Sequence, residues 1–248
     1  LSKDVKFKDV TDDLICLGIF GPKSRDLLSQ ITNEDLSNEN FKFGTSKNIK
    51  LGSTNVWAQR LSYVGELGYE IYIQNIYAKE IYNLIIETGK KFKLTHCGAH
   101  AMDIMRMESG FLHWGHDISP EENQYQAGLN FAISYKKPFE FIGKERLLQI
   151  KDQKQNKRFV MLCLKNSKPG NPLLLHEEPI YLNNKIIGKT TSGNYSFNYN
   201  KNISFGYIKS HLSDLDLNEL ELFIEIEKKK YQAEILLKPL KQSNFKNI

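Results

Sequence analysis

The order of apolar and polar residues predicts both strands and helices in the first part of the chain. Three runs rich in β-branched and aromatic residues are typical of strands: Leu14–Phe20, Val56–Tyr63 and Tyr69–Ile73. Lys23–Ile31 and the segment from Ala78 to Gly89 instead repeat apolar residues at helical spacing, and the glycine ends the second of these helices. Because these elements follow each other closely, the pattern predicts an α+β layer.

A further helix is predicted over Ala99–Ser109, ended by Gly110. Its apolar residues are distributed around most of the helix circumference, which indicates a buried helix. Arg106 lies one turn after Asp103, and an ion pair at this spacing is usually structural. A buried arginine could instead orient a ligand, and the residues alone leave both interpretations open.

Short strands replace the mixed elements after about Asn156. Asn183-Asn184 suits a tight hairpin, because asparagine tolerates positive φ. Strands this short and this closely spaced predict a small barrel or sandwich. We therefore place a boundary near residue 155 and predict two domains, residues 1–155 and residues 156–248. The strands predicted in the second domain are Phe159–Leu164, Pro179–Leu182, Ile186–Thr191, Ser204–Ile208, Glu221–Glu227 and Tyr231–Leu237.

Composition is ordinary for a soluble globular protein. Of the 248 residues 40% are hydrophobic and 25% are charged, and no apolar run approaches the roughly 18–20 residues of a membrane span. The net charge of +5 comes from scattered lysines, which are typical of a solvated surface and could also attract an anionic metabolite. Cys16 and Cys163 lie in apolar runs and are expected to be buried free thiols. Free thiols and the lack of a visible signal peptide predict the cytoplasm, or the mitochondrial matrix in a eukaryote.

The hairpin around Gly65–Gly68 carries the first candidate chemistry. Side chains alternate along a strand, so Glu70 and Tyr72 share one face of the returning strand. If the turn brings Tyr63 opposite Glu70, a carboxylate and a phenol converge at the mouth of the hairpin. A carboxylate can accept two parallel N–H bonds, which suits a ligand edge shaped like a guanidine. Glu66, at the turn itself, is expected to face solvent. The alternative is an ordinary surface hairpin with an exposed glutamate.

Two other groups of residues have simpler interpretations. The first group flanks the predicted buried helix and consists of His96, Cys97, His100, His113, His116 and Asp117. These residues match no zinc signature, so we expect local hydrogen bonding and predict no metal. The aromatic residues between Tyr195 and Tyr207 could stack single-stranded bases beside Lys201, but positions in a barrel core and rim explain them more simply.

Five blocks of sequence follow each other along nearly the whole chain: DLICLGIFGPKSRDLL (Asp13–Leu28), LSYVGELGYEIYI (Leu61–Ile73), GAHAMDIMRMESGFLHWGHDI (Gly98–Ile118), AGLNFAISYKKPFEFIGKERL (Ala127–Leu147) and GKTTSGNYSFNYNKNISFGYI (Gly188–Ile208). Together they resemble the tetrahydrofolate-binding region of the glycine-cleavage T-protein family. The pieces LHWGHD, AGLNF and KPFEFIGKERL are more similar to the carboxyl-terminal half of dimethylglycine and sarcosine dehydrogenases than to free-standing T-protein.

The resemblance implies an α+β fold with ferredoxin-like folate-binding lobes, followed by a small C-terminal β-barrel. In the dehydrogenases, an N-terminal FAD domain oxidises an N-methyl amine and the folate region captures the one-carbon unit as 5,10-methylenetetrahydrofolate. Tetrahydrofolate is therefore the expected cofactor, and FAD is expected only in an upstream flavin domain. The alternatives are an aminomethyltransferase that works with a lipoylated carrier protein, and a non-catalytic folate-binding relative. No nucleic-acid or membrane partner is expected.

The resemblance also implies particular site residues. In this family the glutamate that closes the GxxGxE block binds the pterin, and Glu70 matches it; Tyr63 matches the tyrosine of the SYxGE block. Arg106 completes the predicted cofactor-binding set, while Met102 occupies the column of the arginine that lies near the folate in T-proteins. The chain begins at Leu1 and is expected to be part of a longer polypeptide. The family's catalytic aspartate has no counterpart in these residues, so the catalytic residue and the activity of this part alone are left open.

Overall fold

The computed structural model describes residues 4–209, 220–242 and 246–247. Contacts between residues divide the chain into two compact units, one formed by Leu1–Met102 with Gln242–Ile248 and the other by Asp103–Lys241. The domain boundary near residue 155 is inferred from a change in the sequence pattern and not from contacts between residues, so it stays a prediction.

In its described residues, the first unit contains four strands, two complete helices and the start of a third helix. Its strands form an antiparallel sheet in the order β1-β4-β3-β2, so β4 is an inner strand and β1 lies at an edge. Short 3₁₀ helices cover Asn75–Tyr77 and Lys90–Phe92. The main elements are β1 (Leu14–Phe20), α1 (Ser24–Leu28), β2 (Ser46–Leu51), β3 (Thr54–Gln59), β4 (Gly68–Gln74) and α2 (Ala78–Gly89).

One face of this sheet packs against the two helices and forms a core. Alternate residues of a strand point to the same face, and on β4 the fully buried ones are Tyr69, Ile71 and Ile73. They belong to a cluster with Leu27 and Leu28 of α1 and with Ile81 and Ile85 of α2. The intervening residues form the opposite face, named here the helix-free face because α1 and α2 pack on the other side. On β1, β3 and β4 the residues of this face include Cys16, Gly18, Phe20, Trp57, Gln59, Gly68, Glu70 and Tyr72.

Two predictions for the first unit are wrong in detail. Strand β1 has the predicted bounds, but Cys16 is exposed because this edge strand buries only the side that meets the helices. Strand β3 ends at Gln59 rather than at Tyr63. The chain turns away at Arg60, whose N–H donates to the carbonyl of Thr45 (3.0 Å) and whose buried guanidinium donates to the carbonyl of Phe41 (2.8 Å).

A closed six-stranded barrel dominates the second unit. Going around the barrel, the strand order is β10-β5-β8-β7-β6-β9. Asn183 and Asn184 join β6 to β7 with φ angles of 48° and 63°, as predicted for this hairpin. Besides α3 (Ala99–Glu108), whose second half belongs here, the elements are α4 (Lys144–Ile150), β5 (Lys157–Leu164), β6 (Pro179–Leu182), β7 (Lys185–Ser196), β8 (Lys201–Lys209), β9 (Leu222–Ile226) and β10 (Lys229–Leu236), with a 3₁₀ helix over Asn130–Ala132.

Inward-facing aliphatic residues fill the barrel, including Val160, Leu162 and Leu164 of β5. Helix α3 ends at Glu108, and Gly110 (φ +75°) follows two residues later, as expected of a glycine that terminates a helix. The prediction that this helix is buried is wrong for its first half, where Met102 is 40% exposed; burial begins at Ile104. The predicted fold class, α+β with a C-terminal β-barrel, is confirmed.

Candidate functional site

The helix-free face of the first unit carries Glu70 at its centre. Glu70 lies on β4, directly opposite Gly18 of β1 and Gln59 of β3. Residues that face each other in an antiparallel pair point to the same side of the sheet. The carboxylate therefore projects from the inner part of the sheet, on the side away from the hydrophobic core, and it is half-buried.

Tyr72 holds one oxygen of this carboxylate. Its hydroxyl donates to Oε2 of Glu70 over 2.9 Å. Desolvation and the hydrogen bond to Glu70 raise the pKa of Tyr72 well above its usual range, so the phenol stays a donor at any physiological pH. Within residues 4–209, 220–242 and 246–247, no donor contacts Oε1 of Glu70. One carboxylate oxygen is thus available to a ligand.

Aromatic and sulfur-containing side chains flank Tyr72. Trp57 is in register with Tyr72 on β3, and the two rings lie 4.9 Å apart between centroids at an interplanar angle of 37°. Cys16 is in register with Tyr72 on β1. Desolvation and the nearby charge of Glu70 raise the pKa of the Cys16 thiol, so a neutral thiol borders the phenol. Trp57 remains 42% exposed and presents ring surface on this face.

The Phe20 ring lies on the other side of Glu70. A Cβ added at Gly18 would come within 2.5 Å of this ring, and one added at Gly68 within 2.3 Å of it. Glycine at both positions leaves room for the ring to lie this close to β1 and β4. The carboxylate of Glu70 therefore sits between two aromatic groups along the face, Phe20 on one side and Tyr72 with Trp57 on the other. A flat, hydrogen-bonding heterocycle matches this arrangement.

The second predicted ligand, Tyr63, lies in the connection between β3 and β4 and is half-buried. The residue in register with Glu70 is Gln59, so the hairpin does not pair Tyr63 with Glu70. Glu66 is half-buried rather than exposed, and its N–H donates to the hydroxyl of Ser62 (3.1 Å). The proposed contact between Tyr63 and folate stays a prediction.

Arg106, the third predicted ligand, lies in the second unit and is 1% exposed. Its guanidinium donates to Oδ1 of Asp103 (2.9 Å), to the carbonyl of Phe111 (3.0 Å), to the hydroxyl of Ser192 (2.8 Å) and to Asp117. Each of its three nitrogens thus has an acceptor within the protein. The geometry gives Arg106 a structural role, as its spacing from Asp103 indicates, and its role as a folate ligand stays a prediction.

Asp117 completes this buried network and is 1% exposed. Besides Arg106, its carboxylate accepts hydrogen bonds from the hydroxyls of Thr191 (2.6 Å) and Ser192 (2.7 Å) and from the N–H of His113 (2.9 Å). The hydroxyl of Tyr207 donates to its carbonyl over 2.8 Å. The network joins the end of α3 to β7 and β8, so its function is to hold the helix on the barrel.

The remaining candidates occupy structural positions. Among the aromatic residues from Tyr195 to Tyr207, three are buried (Tyr195, Phe205 and Tyr207), and Phe197 and Tyr199 are exposed. Phe205 packs with Ile104 and Met107 of α3, apart from the aliphatic residues that fill the barrel, so the expected place in the barrel core is wrong for this ring. Nε2 of His96 lies 2.7 Å from the hydroxyl of Tyr82, a local hydrogen bond of the expected kind. No helix in the described ranges is long and apolar enough to cross a membrane.

Comparison with known proteins places the chain in a family. Residues 1–137 match the profile of the GCVT N-terminal domain, and residues 157–241 match the glycine cleavage T-protein C-terminal barrel domain. The first match alone covers more than half of the chain. The chain therefore belongs to the glycine-cleavage T-protein family, which confirms the resemblance noted in its sequence.

Individual relatives agree with this assignment. Human mitochondrial dimethylglycine dehydrogenase is 36% identical over 240 residues, which are 96% of this chain and 27% of the relative. An aminomethyltransferase of Thermoanaerobacter sp. (strain X514) is 32% identical over 98% of this chain and 64% of the relative. The crystal structure of aminomethyltransferase T from Bartonella henselae matches the fold with a TM-score of 0.79 at 20% identity, over 92% of this chain and 60% of that one.

Sequence reasoning singled out Glu70 and Tyr72 but not the other residues of the helix-free face. Trp57, Gln59 and Phe20 lie on the same face, and the alternation of the strands already placed Tyr72 beside Glu70. The missing information was the register, which decides that Trp57 lies opposite Tyr72. The two glycines at positions 18 and 68 were a usable signal, because glycine within a strand often marks the close approach of another group.

Proposed function

We propose that this chain binds tetrahydrofolate on the helix-free face through Glu70. We further propose that it is the one-carbon transfer module of a protein like dimethylglycine or sarcosine dehydrogenase, forming 5,10-methylenetetrahydrofolate. The observation that carries the proposal is the position of Glu70: a carboxylate with Oε1 available, set between two aromatic groups. Membership of the family and the relatives named above support it.

The chemistry of the donor set fits a reduced pterin. The amino-pyrimidinone edge of a pterin offers adjacent N–H donors, and a carboxylate can accept two of them in parallel. The ring surfaces of Phe20 and Trp57 would border the flat part of the ligand. Tetrahydrofolate, when bound, supplies the nitrogen atoms that take up a one-carbon unit. The residues of this chain bind and orient it, and no catalytic proton transfer is assigned to any of them.

The chain spans 27% of the human dehydrogenase and 64% of the bacterial aminomethyltransferase, so the activity of a whole protein is part of the proposal. No residue of this chain is proposed to hold FAD, which would belong to an upstream flavin domain. We keep the cytoplasm as the proposed location, or the mitochondrial matrix in a eukaryote, since the human relative is mitochondrial.

The second candidate function is that of an aminomethyltransferase. It is supported by the Thermoanaerobacter relative, which is matched over a larger share of its length than the dehydrogenase is. A lipoylated carrier protein that stimulates turnover of the full-length native protein would favour this function. A requirement for an N-methyl amine and an electron acceptor would favour the dehydrogenase type.

Titration with (6S)-5-formyltetrahydrofolate, a stable reduced folate, tests the proposed binding. Calorimetry on the chain is expected to show saturable binding that weakens about 10- to 100-fold in Glu70→Ala, because one hydrogen bond to a charged group contributes about 1.5–3 kcal/mol. Glu87→Ala, a change at an exposed carboxylate on α2, is the matched control and should bind like the unmodified chain. Equal affinity of the Glu70→Ala and unmodified chains, or no binding by either, contradicts the proposal.

A further inference from the structure

The contact between Tyr72 and Glu70 is a consequence of strand geometry. The two residues are separated by one position on β4 and therefore point to the same face, about 7 Å apart along the strand. Short side chains at this spacing do not meet. A tyrosine and a glutamate are long enough to lean towards each other, and the hydroxyl of Tyr72 reaches Oε2 of Glu70 at 2.9 Å.

Neighbouring strands hold the Tyr72 ring in place. Trp57 packs against it from β3, with ring centroids 4.9 Å apart, and Cys16 occupies the position opposite it on β1. The tyrosine therefore has neighbours on both sides within the sheet. Because its hydroxyl remains protonated, its only role towards a carboxylate oxygen is that of donor.

This arrangement makes the two oxygens of Glu70 unequal. Oε2 already accepts one hydrogen bond, from a side chain packed against Trp57, whereas Oε1 accepts none from the described part of the chain. A hydrogen bond from a fixed donor limits rotation of the carboxylate about its terminal torsion. A carboxylate whose plane is fixed before the ligand arrives loses less conformational freedom on binding.

We propose that Tyr72 is a positioning residue that orients the Glu70 carboxylate and thereby sets selectivity for ligands with two adjacent N–H donors. This inference rests on the proposed function, since it concerns the same site. A ligand that offers both donors gains fully from the fixed carboxylate plane. A ligand that lacks one of them gains less, because a single hydrogen bond tolerates more rotation of the carboxylate.

Tyr72→Phe tests the inference, because it removes only the hydroxyl and keeps the ring that packs on Trp57. Two ligands are compared by calorimetry: (6S)-5-formyltetrahydrofolate and its analogue in which a methyl group replaces the 2-amino group. The unmodified chain is expected to prefer the amino compound by about 10-fold or more, and Tyr72→Phe is expected to lower this preference about 3- to 10-fold. If Tyr72 has a purely structural role, Tyr72→Phe will bind both ligands more weakly by the same factor and keep the preference unchanged. That result would overturn the inference.

Two further variants separate failure of the inference from failure of the proposed function. Tyr82→Phe removes an exposed hydroxyl on α2 that contacts His96, and it is expected to leave both affinities unchanged. In a Glu70→Ala background, Tyr72→Phe should cause no further loss of preference, because the positioned group is gone. If Glu70→Ala weakens binding but Tyr72→Phe leaves the preference intact, only the positioning role is wrong. If Glu70→Ala has no effect, the folate site itself is wrong.

Discussion

Two carboxylates, one in each unit, differ in how far the protein satisfies them. Asp117 in the second unit is fully buried and accepts hydrogen bonds from Arg106, Thr191, Ser192 and the N–H of His113. Glu70 in the first unit is half-buried and accepts one hydrogen bond, on Oε2, from Tyr72. Asp117 is closed to any ligand, while Glu70 retains an available oxygen.

The difference shows how a buried acid that serves the fold can be distinguished from one that can serve binding. A buried charge is tolerated when partners surround it, and such a network fixes one arrangement of the elements it joins. A carboxylate that keeps an unpartnered oxygen beside aromatic surfaces contributes less to the fold. Its remaining hydrogen-bonding capacity can be used by a ligand instead.

The largest expected effect comes from breaking the buried hydrogen-bond network around Arg106 and Asp117. Asp117→Ala leaves Arg106 without its fully buried partner, and breaking such a pair typically costs about 3–5 kcal/mol of unfolding free energy. Urea unfolding followed by circular dichroism measures the loss. Asp103→Ala is the matched control, because Asp103 is 30% exposed and its removal leaves Asp117 in place. If Asp117→Ala loses less unfolding free energy than Asp103→Ala, the buried network around Asp117 does not hold α3 on the barrel.

A smaller effect is expected from adding a methyl group beneath Phe20. In Gly68→Ala the new Cβ would lie 2.3 Å from the Phe20 ring and 2.7 Å from the carbonyl oxygen of Leu61. The ring has to move, at a cost of about 1–3 kcal/mol, and folate binding should weaken with it. Gly98→Ala is the control, since no atom beyond its immediate chain neighbours lies within 4 Å of the added Cβ. If the two variants have equal stability and equal folate affinity, the position of the Phe20 ring does not contribute to the site.

Neutralising the available carboxylate should hardly change stability. Glu70→Gln keeps the size of the side chain and an oxygen that can accept from Tyr72, so the change in unfolding free energy is expected within about 0.5 kcal/mol. Thermal unfolding of the two chains, without and with reduced folate, gives the measurement. Folate should raise the melting temperature of the unmodified chain more than that of Glu70→Gln. A destabilisation as large as that of Asp117→Ala would erase the distinction between the two carboxylates.

The smallest expected effect concerns pH and a second satisfied carboxylate of the barrel unit. Burial of Glu122 opposes its ionisation, but hydrogen bonds from Lys157 and Ser119 and the charge of Lys157 lower the pKa of this carboxyl below its usual 4.5. A lowered folded-state pKa adds stability above the unfolded-state value, and this stability disappears as the pH falls through the folded-state pKa.

Glu122→Gln should therefore be less stable than the unmodified chain at neutral pH, and the difference should shrink below about pH 4.5. Urea unfolding at a series of pH values measures it. Glu140→Gln changes a side chain that is 82% exposed and is expected to leave stability unchanged at neutral pH. A difference for Glu122→Gln that stays constant as the pH falls would show that its ionisation is not linked to folding.

The sequence predicted the elements well where local signals decide them. The run Leu14–Phe20 has the bounds of β1, and α2 ends at Gly89 as its glycine indicates. Asn183-Asn184 forms the predicted turn because two residues with positive φ can be recognised from their type. The position of Glu70 beside Tyr72 followed from strand alternation alone.

Predictions failed where contacts distant in sequence decide the outcome. Strand β3 stops at Gln59 because Arg60 bonds to Phe41 and Thr45, and no property of the residues from 56 to 63 announces this. Cys16 is exposed because β1 lies at an edge of the sheet, which depends on strand order. The pairing of Trp57 with Tyr72 likewise depends on register, so most of the aromatic surroundings of Glu70 could not be predicted.

A crystal structure of the chain with bound (6S)-5-formyltetrahydrofolate tests the central claim most directly. We predict that the amino-pyrimidinone edge of the pterin donates to the carboxylate of Glu70, including Oε1, while Tyr72 keeps its hydrogen bond to Oε2. A pterin bound elsewhere, with Glu70 contacted by Tyr72 alone, would contradict the account.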